Sequence, residues 1–87
     1  LKNYPNPFNP VTNIRFSLDK KMDIKLVVYN ILGQRIRTLY HGNLEAGFHK
    51  LQWNGRNDQN TLVGSGIYLV QLRGNREQKI MKVVLIK

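Results

Sequence analysis

The sequence contains no cysteine and few acidic residues, histidines or prolines. Without cysteine, the chain can form neither a disulfide framework nor a catalytic thiol. No apolar run approaches the roughly 18 to 20 residues that a membrane-spanning helix requires, and the first residues do not have the pattern of a signal peptide. These absences leave a small domain that must be held together by an ordinary apolar core.

The shortage of acidic residues makes the chain strongly basic. Fourteen Lys and Arg residues against five Asp and Glu residues give a formal net charge of +9. Such a charge attracts nucleic acid, lipid head groups or acidic polysaccharide, and it does not discriminate among them. No recognised nucleic-acid motif is present, so we expect no nucleic-acid partner.

The two histidines, His41 and His49, have neither metal-ligand spacing nor the order of a catalytic triad. We therefore expect no enzyme activity, no cofactor and no metal. His49 alternates with apolar residues, so we predict that it is a half-buried strand residue that donates to a loop carbonyl. Trp53 alternates in the same way and is predicted to lie in the core.

The length of 87 residues and the 41% hydrophobic content indicate one small packed domain. All three prolines lie in residues 1–10, which predicts an extended, Pro/Asn-rich lead-in. The chain begins with Leu1 rather than Met. We therefore expect residues 1–87 to be a single domain of a longer polypeptide.

Residues 62–72 are the stretch on which we expect the fold to be organised. The small-residue turn Gly64-Ser65-Gly66 precedes an apolar run in which Tyr68, Val70 and Leu72 share one face. Glycine reaches backbone angles that strain other residues, so the chain can turn and enter a sheet at once. This pattern predicts a central strand buried on at least one face.

Five more alternating or apolar runs predict strands at residues 11–18, 24–31, 35–40, 48–53 and 77–87, the last of them apolar on both faces. Turn signals separate them at residues 19–23, 30–34, 53–60 and 74–75, and a loop is predicted at residues 41–47. The lead-in is a possible seventh strand. The sequence therefore predicts an all-β fold, a six- or seven-stranded immunoglobulin-like antiparallel β-sandwich.

Five segments carry a resemblance to a known family. They are YPNPFNPVTNIRFSL at 4–18, LVVYNILGQRI at 26–36, AGFHKLQWNG at 46–55, GSGIYLVQL at 64–72 and KIMKVVLIK at 79–87. In this order and spacing the chain resembles the type A C-terminal sorting domain of the type IX secretion system. That family overlaps in sequence with the immunoglobulin-like domain of flagellar hook-capping proteins.

The resemblance implies a non-catalytic secretion signal at the C-terminus of a passenger protein. Its expected partners are the outer-membrane translocon and, in cleaved members, a surface sortase that joins the passenger to an anionic lipopolysaccharide. The expected location is the periplasm in transit, then the cell surface or medium. The alternative is an immunoglobulin-like interaction or assembly module, either hook-capping-like or a carbohydrate-binding accessory domain.

The motif positions carried over from the family are expected to be the recognition residues. They are Pro5, Asn6, Pro7, Gly33, Gly66, Tyr68, Lys82, Val84 and Lys87. Asn30, Asn54 and Asn57 stand where family members often have Asp, and Asn60 stands where Gly is usual. Asn tolerates the left-handed backbone region better than most residues, so the turn at Asn60 is expected to persist.

Two features allow more than one interpretation. Residues 53–60 offer the side-chain oxygens of Asn54, Asn57, Asp58 and Asn60 for calcium, but with one carboxylate among them a plain turn is favoured. The outward basic residues, which are Arg15, Lys25, Arg35, Arg37, Lys50, Arg73 and Lys82, favour a solvated face that resists aggregation. The alternative is a patch for an anionic glycan or lipid, reinforced by exposed aromatic residues such as Phe48 or Tyr29.

Overall fold

The computed structural model describes residues 11–86, and these form an all-β domain. Six strands follow one another along the chain: β1 (Thr12–Leu18), β2 (Met22–Tyr29), β3 (Arg35–Leu44), β4 (Gly47–Trp53), β5 (Gly66–Arg73) and β6 (Gln78–Leu85). The predicted immunoglobulin-like antiparallel sandwich is confirmed. A seventh strand in the lead-in lies outside the described residues.

The strands form two antiparallel sheets. β1 and β4 make a two-stranded sheet, and the other sheet has four strands in the order β3-β2-β5-β6. β5 is an interior strand, paired with β2 on one side and β6 on the other, which confirms the central position predicted for residues 62–72. β6 is an edge strand.

The core fills the space between the inward faces of the two sheets. Alternation along the strands supplies it, as predicted, with side chains from both sheets: Ile14, Phe16, Leu18, Ile24, Leu26, Val28, Trp53, Tyr68, Val70, Leu72 and Leu85. No polar side chain is buried among residues 11–86. Because the core is continuous across the sheets, each outward face is a separate surface resting on the same interior.

Two predicted boundaries are wrong. β3 was expected to end at Tyr40 and to be followed by a loop over residues 41–47, yet it continues to Leu44. β2 begins at Met22, inside the predicted turn at residues 19–23, and Met22 pairs with Leu44. Gly42 and Asn43 are weak strand formers locally, and cross-strand pairing with the start of β2 outweighs that preference.

Candidate functional site at the β5–β6 edge

The structure brings together two of the motif elements predicted to be recognition residues. β5 and β6 pair so that Gly66 lies opposite Leu85, Tyr68 opposite Val83 and Leu69 opposite Lys82. The Gly66–Tyr68 element and the Lys82–Val84 element are therefore cross-strand neighbours. Pro5, Asn6, Pro7 and Lys87 lie outside the described residues, so their placement stays a prediction.

Tyr68 fastens the beginning of β5 to the turn before it. Its side chain is buried, and its hydroxyl donates to the Gly64 carbonyl oxygen at 2.6 Å. The ring meets Trp53 edge to face, with centroids 5.0 Å apart. A tyrosine that bonds back to the backbone a few residues upstream is a recurrent feature of immunoglobulin-like sandwiches. Desolvation by burial raises the pKa of the Tyr68 hydroxyl.

Both glycines among the predicted recognition residues have positive φ angles, which favour glycine. Gly66 enters β5 with φ of 153°, and Gly33 has φ of 83° in the turn that joins β2 to β3. Side chains in this region are strained, which explains glycine at both positions. Because Tyr29 at the end of β2 pairs with Leu69 at the start of β5, the Gly33 turn lies at the same end of the sheet as Gly66.

The outward face of β5 and β6 carries three exposed apolar side chains. Ile67 lies directly opposite Val84, and these side chains are 47% and 52% exposed. Ile80 on the same face of β6 is 57% exposed. β6 was predicted to be apolar on both faces, and its outer face remains uncovered by residues 11–86. Sequence reasoning named Val84 but missed Ile67 and Ile80, which the period-2 alternation could have placed beside it.

The other edge of the four-stranded sheet is partly covered. The Asp58 backbone N–H donates to the Ile36 carbonyl oxygen at 2.9 Å, and the Thr38 N–H donates to Asp58 Oδ1 at 3.1 Å. Arg35 Nε lies 3.3 Å from Asp58 Oδ2. The loop after β4 thus occupies backbone groups of β3 that an edge strand would leave free.

The asparagines of this loop organise the backbone. Asn54 Oδ1 accepts from the Arg56 N–H, and Asn57 Oδ1 accepts from the Gln59 and Thr61 N–H groups. These bonds occupy the side-chain oxygens that a calcium site would use, so the turn interpretation is supported. Asn60 has φ of 67°, in the left-handed region expected for it. Among residues 11–86, no group of three or more His, Asp or Glu side chains is placed to hold a metal.

The two structural predictions for β4 are confirmed. His49 Nε2 donates to the Glu45 carbonyl oxygen at 2.7 Å, and its ring stacks on Phe16 with centroids 5.5 Å apart. Trp53 is fully buried, and its Nε1–H donates to the Arg56 carbonyl oxygen. Of the two aromatic residues predicted to be exposed, Phe48 is exposed but Tyr29 is half-buried, with its hydroxyl 3.4 Å from Gln71 Oε1.

No helix among the described residues is long and apolar enough to cross a membrane.

Comparison with known families agrees with this architecture. Residues 7–78 match the family model of the FlgD Ig-like domain. The chain belongs to the FlgD Ig-like domain family. FlgD Ig-like domains are a structural, non-enzymatic domain type. Neither a curated protein nor a solved structure matches the chain.

Membership of the FlgD Ig-like family confirms one half of the predicted resemblance, the relation to hook-capping proteins. The match bears on the fold and says nothing of type IX secretion, which stays a prediction. It ends at residue 78, the first residue of β6. The strand that carries Lys82 and Val84 therefore lies beyond the part of the chain that the family model covers.

Proposed function

We propose that the chain is a non-catalytic, immunoglobulin-like interaction and assembly module that engages its partner through β6. The observation that carries this proposal is the edge position of β6 together with its exposed apolar outer face. The family supports a structural rather than an enzymatic role.

Backbone pairing would supply the affinity. An edge strand presents a row of backbone N–H and C=O groups, and an extended segment of a partner can add to it as a further strand. Only β5 pairs with β6 among the strands of residues 11–86. The opposite edge, β3, already bonds to the backbone and side chain of Asp58. This asymmetry favours β6 as the docking edge.

Side chains on the outer face of β6 would supply selectivity. Ile80 and Val84 project from β6, and Ile67 lies opposite Val84 on β5. Lys82 lies between Ile80 and Val84 on the same face. A partner strand with alternating apolar and acidic residues would match this order, because alternate side chains of an added strand meet alternate side chains of its neighbour.

Photocrosslinking in the native host tests the proposal. A photoreactive phenylalanine analogue is placed at Val84 and, as a control, at Leu32, which is even more exposed but lies in the β2–β3 turn. We expect one defined crosslinked product from Val84 and none from Leu32. Equal crosslinking at both positions, or crosslinks from Val84 only to residues 1–10 of the same chain, would overturn the proposal.

A second candidate function is the type IX sorting signal. It is favoured by the cross-strand contact between the two motif elements, Gly66–Tyr68 on β5 and Lys82–Val84 on β6. In this form of the proposal the partner is the outer-membrane translocon, followed by a surface sortase in cleaved members. The passenger would be exported through the periplasm to the cell surface or the medium.

Export of a reporter separates the two candidates. Residues 1–87 are fused to the C-terminus of a periplasm-directed fluorescent protein in a bacterium with a working type IX system. Sorting predicts surface or medium fluorescence that is lost in a translocon-deficient strain and in a fusion without residues 82–87. A Leu32→Lys fusion serves as the control that should still be exported. Retention of the folded fusion in the periplasm would contradict the sorting signal and leave the assembly module.

A further inference from the structure

The outward face of the two-stranded sheet differs from that of β5 and β6, because it combines basic residues with one aromatic ring. Arg15 on β1 lies directly opposite Lys50 on β4, and Ser17 lies opposite Phe48. Like charges directly opposite each other destabilise a sheet. The Arg15–Lys50 pair therefore contributes nothing favourable to the fold.

Phe48 is the aromatic residue on this face. It is 93% exposed and is the one exposed large apolar side chain within β1 and β4. Its two neighbours along β4 are Gly47, which has no side chain, and His49, which points inward against Phe16. One face of the ring is thus open beside the charges of Arg15 and Lys50.

These residues line a common groove. Arg15, Phe48 and Lys50 share an open groove of about 440 Å³, and Lys79 reaches it from the beginning of β6. None of the five side-chain carboxylates, which all lie within residues 11–86, lines it. The two ion pairs of the described residues use Lys21 and Arg35 instead. Three cations therefore line the same groove as the ring without a carboxylate ion-pair partner among residues 11–86.

We propose that this groove binds an acidic polysaccharide, a chain of sugar rings that carry carboxylate or sulfate groups. The face of an aromatic ring carries negative charge density and attracts the weakly positive C–H groups on the apolar face of a sugar ring. The guanidinium of Arg15 can bind a carboxylate or sulfate through two parallel hydrogen bonds, and Lys50 and Lys79 act as point charges. The site lies on the β1–β4 sheet except for Lys79 at the beginning of β6, and it uses none of the residues Ile67, Ile80, Lys82 and Val84 of the proposed docking edge.

Other anionic partners fit the groove less well. Proteins that bind single-stranded nucleic acid stack successive bases on several exposed rings. Of the rings that line this groove only Phe48 is exposed, because Phe16 is buried and His49 is half-buried against it. A membrane surface would select the most apolar exposed face, which is that of Ile67, Ile80 and Val84 on the other sheet. A groove of about 460 Å³ near Gly74 is lined in part by Glu77, whose charge opposes an anion.

The chain contains a matched control for charge. Lys25 and Arg73 also lie directly opposite each other, on the outward face of β2 and β5. Among residues 11–86, no exposed Phe, Trp or Tyr lies beside them, and the exposed ring next to this pair is that of His41, opposite Lys25 on β3. Replacing either pair removes two positive charges from directly opposed positions of an antiparallel strand pair, so a generic polycation would respond equally to both changes.

Affinity measurements with oligogalacturonate, a chain of uronic acids, test the site. Three variants are compared with the unaltered chain: Arg15→Ser/Lys50→Ser, Lys25→Ser/Arg73→Ser and Phe48→Ala. We expect the first and third to raise the Kd at least about tenfold, and the second to change it by less than about threefold, where tenfold corresponds to about 1.4 kcal/mol. Phe48→Tyr keeps the ring and should retain binding. Thermal unfolding confirms that every variant is folded.

Two further ligands distinguish the contribution of charge to binding from that of the sugar ring: polyglutamate, which is anionic but has no sugar, and a neutral glucan, which has sugar rings but no charge. We expect polyglutamate to bind more weakly than oligogalacturonate and to be insensitive to Phe48→Ala, and the neutral glucan not to bind. The proposal would be overturned if the two charge-pair variants lost equal affinity for oligogalacturonate. It would also be overturned if Phe48→Ala left the affinity for oligogalacturonate unchanged. Tighter binding to a single-stranded oligonucleotide or to phosphatidylglycerol vesicles than to oligogalacturonate would overturn it as well.

Discussion

The outward faces of the two sheets differ although they rest on one core. The face of β1 and β4 presents Arg15, Lys50 and an almost fully exposed Phe48, whereas the face of β5 and β6 presents Ile67, Ile80 and Val84. Along the strands of both sheets, the outward side chains alternate with inward apolar side chains that fill the shared core. The difference shows that the core requirement fixes the inward residues alone and leaves each outward face open to a separate function.

The largest expected effect comes from removing the side chain that joins the two sheets. Trp53 ends β4 and packs edge to face on Tyr68 of β5. We expect Trp53→Ala to lower the free energy of unfolding by about 3–5 kcal/mol, a large part of the roughly 5–15 kcal/mol available to a small domain. Urea denaturation measures the loss.

Phe48→Ala is the matched control on the same strand, because Phe48 is 93% exposed. We expect its effect on stability to stay within about 0.5 kcal/mol. If the two variants lost similar stability, Phe48 would have to be part of the packing, and the contrast between the inward and outward faces of β4 would fail.

Tyr68→Phe tests the attachment of β5 to the turn before it. The variant removes the 2.6 Å hydrogen bond to the Gly64 carbonyl and keeps the ring against Trp53. We expect a loss of about 0.5–1.5 kcal/mol in chemical denaturation. Tyr29→Phe is the control, since its hydroxyl is 3.4 Å from Gln71 Oε1 and should contribute less. Equal losses would argue against a special role of the Tyr68 hydroxyl.

The raised pKa of Tyr68 predicts that the stability of the fold depends on pH in the alkaline range. Burial raises the pKa of Tyr68 above its ordinary value of 10.0, so the unfolded chain releases this proton at lower pH than the folded chain. Stability should be fully present below pH 10.0 and fall as the pH rises through the folded-state pKa. The free energy of unfolding, measured across this pH range, should fall less steeply for Tyr68→Phe than for the unaltered chain. Parallel curves would contradict the assignment.

Reversing one charge on the basic face should stabilise the fold. Lys50→Glu converts the like-charged pair with Arg15 into an opposite pair, and we expect a gain of about 0.2–1 kcal/mol that shrinks at high salt. Lys82→Glu is the control on the other face, because Lys82 lies opposite the uncharged Leu69. An equal gain from both would indicate relief of the overall net charge rather than of a local pair.

The smallest expected change in stability comes from making the apolar face basic. Val84→Lys alters a half-exposed side chain, so the free energy of unfolding should change by no more than about 0.5 kcal/mol. Light scattering at high protein concentration should show less self-association than in the unaltered chain, because a lysine on an edge strand opposes sheet-to-sheet pairing. Leu32→Lys in the β2–β3 turn should have no such effect on association.

Much of this architecture was predictable from local patterns. Period-2 alternation placed Tyr68, Val70 and Leu72 inward, and the turn chemistry of Gly33 and Asn60 matches their positive φ angles. The boundary errors at β2 and β3 arose where long-range pairing of Met22 with Leu44 outweighed the local preferences of Gly42 and Asn43. Strand propensity depends on context, so such extensions are not visible in the residues themselves.

The candidate sites were predictable only in part. The Gly66–Tyr68 and Lys82–Val84 elements were found as separate motifs, and their contact across β5 and β6 was not foreseen. Arg15, Lys50 and Phe48 were each predicted to point outward. Their common groove with Lys79 depends on which strands meet at the side of the sandwich, so it could not be derived from alternation.

By itself, the sequence determined the all-β class and the inward side chains of β1, β2, β4 and β5, because both follow from the two-residue repeat of an extended chain. The tertiary structure alone decided that β2 and β6 flank β5, that β6 is an edge, and that Asp58 covers β3. The physical reason is that strand pairing joins backbone groups far apart in sequence. These groups are chemically alike in every strand, so only the packing of the whole domain selects the partners.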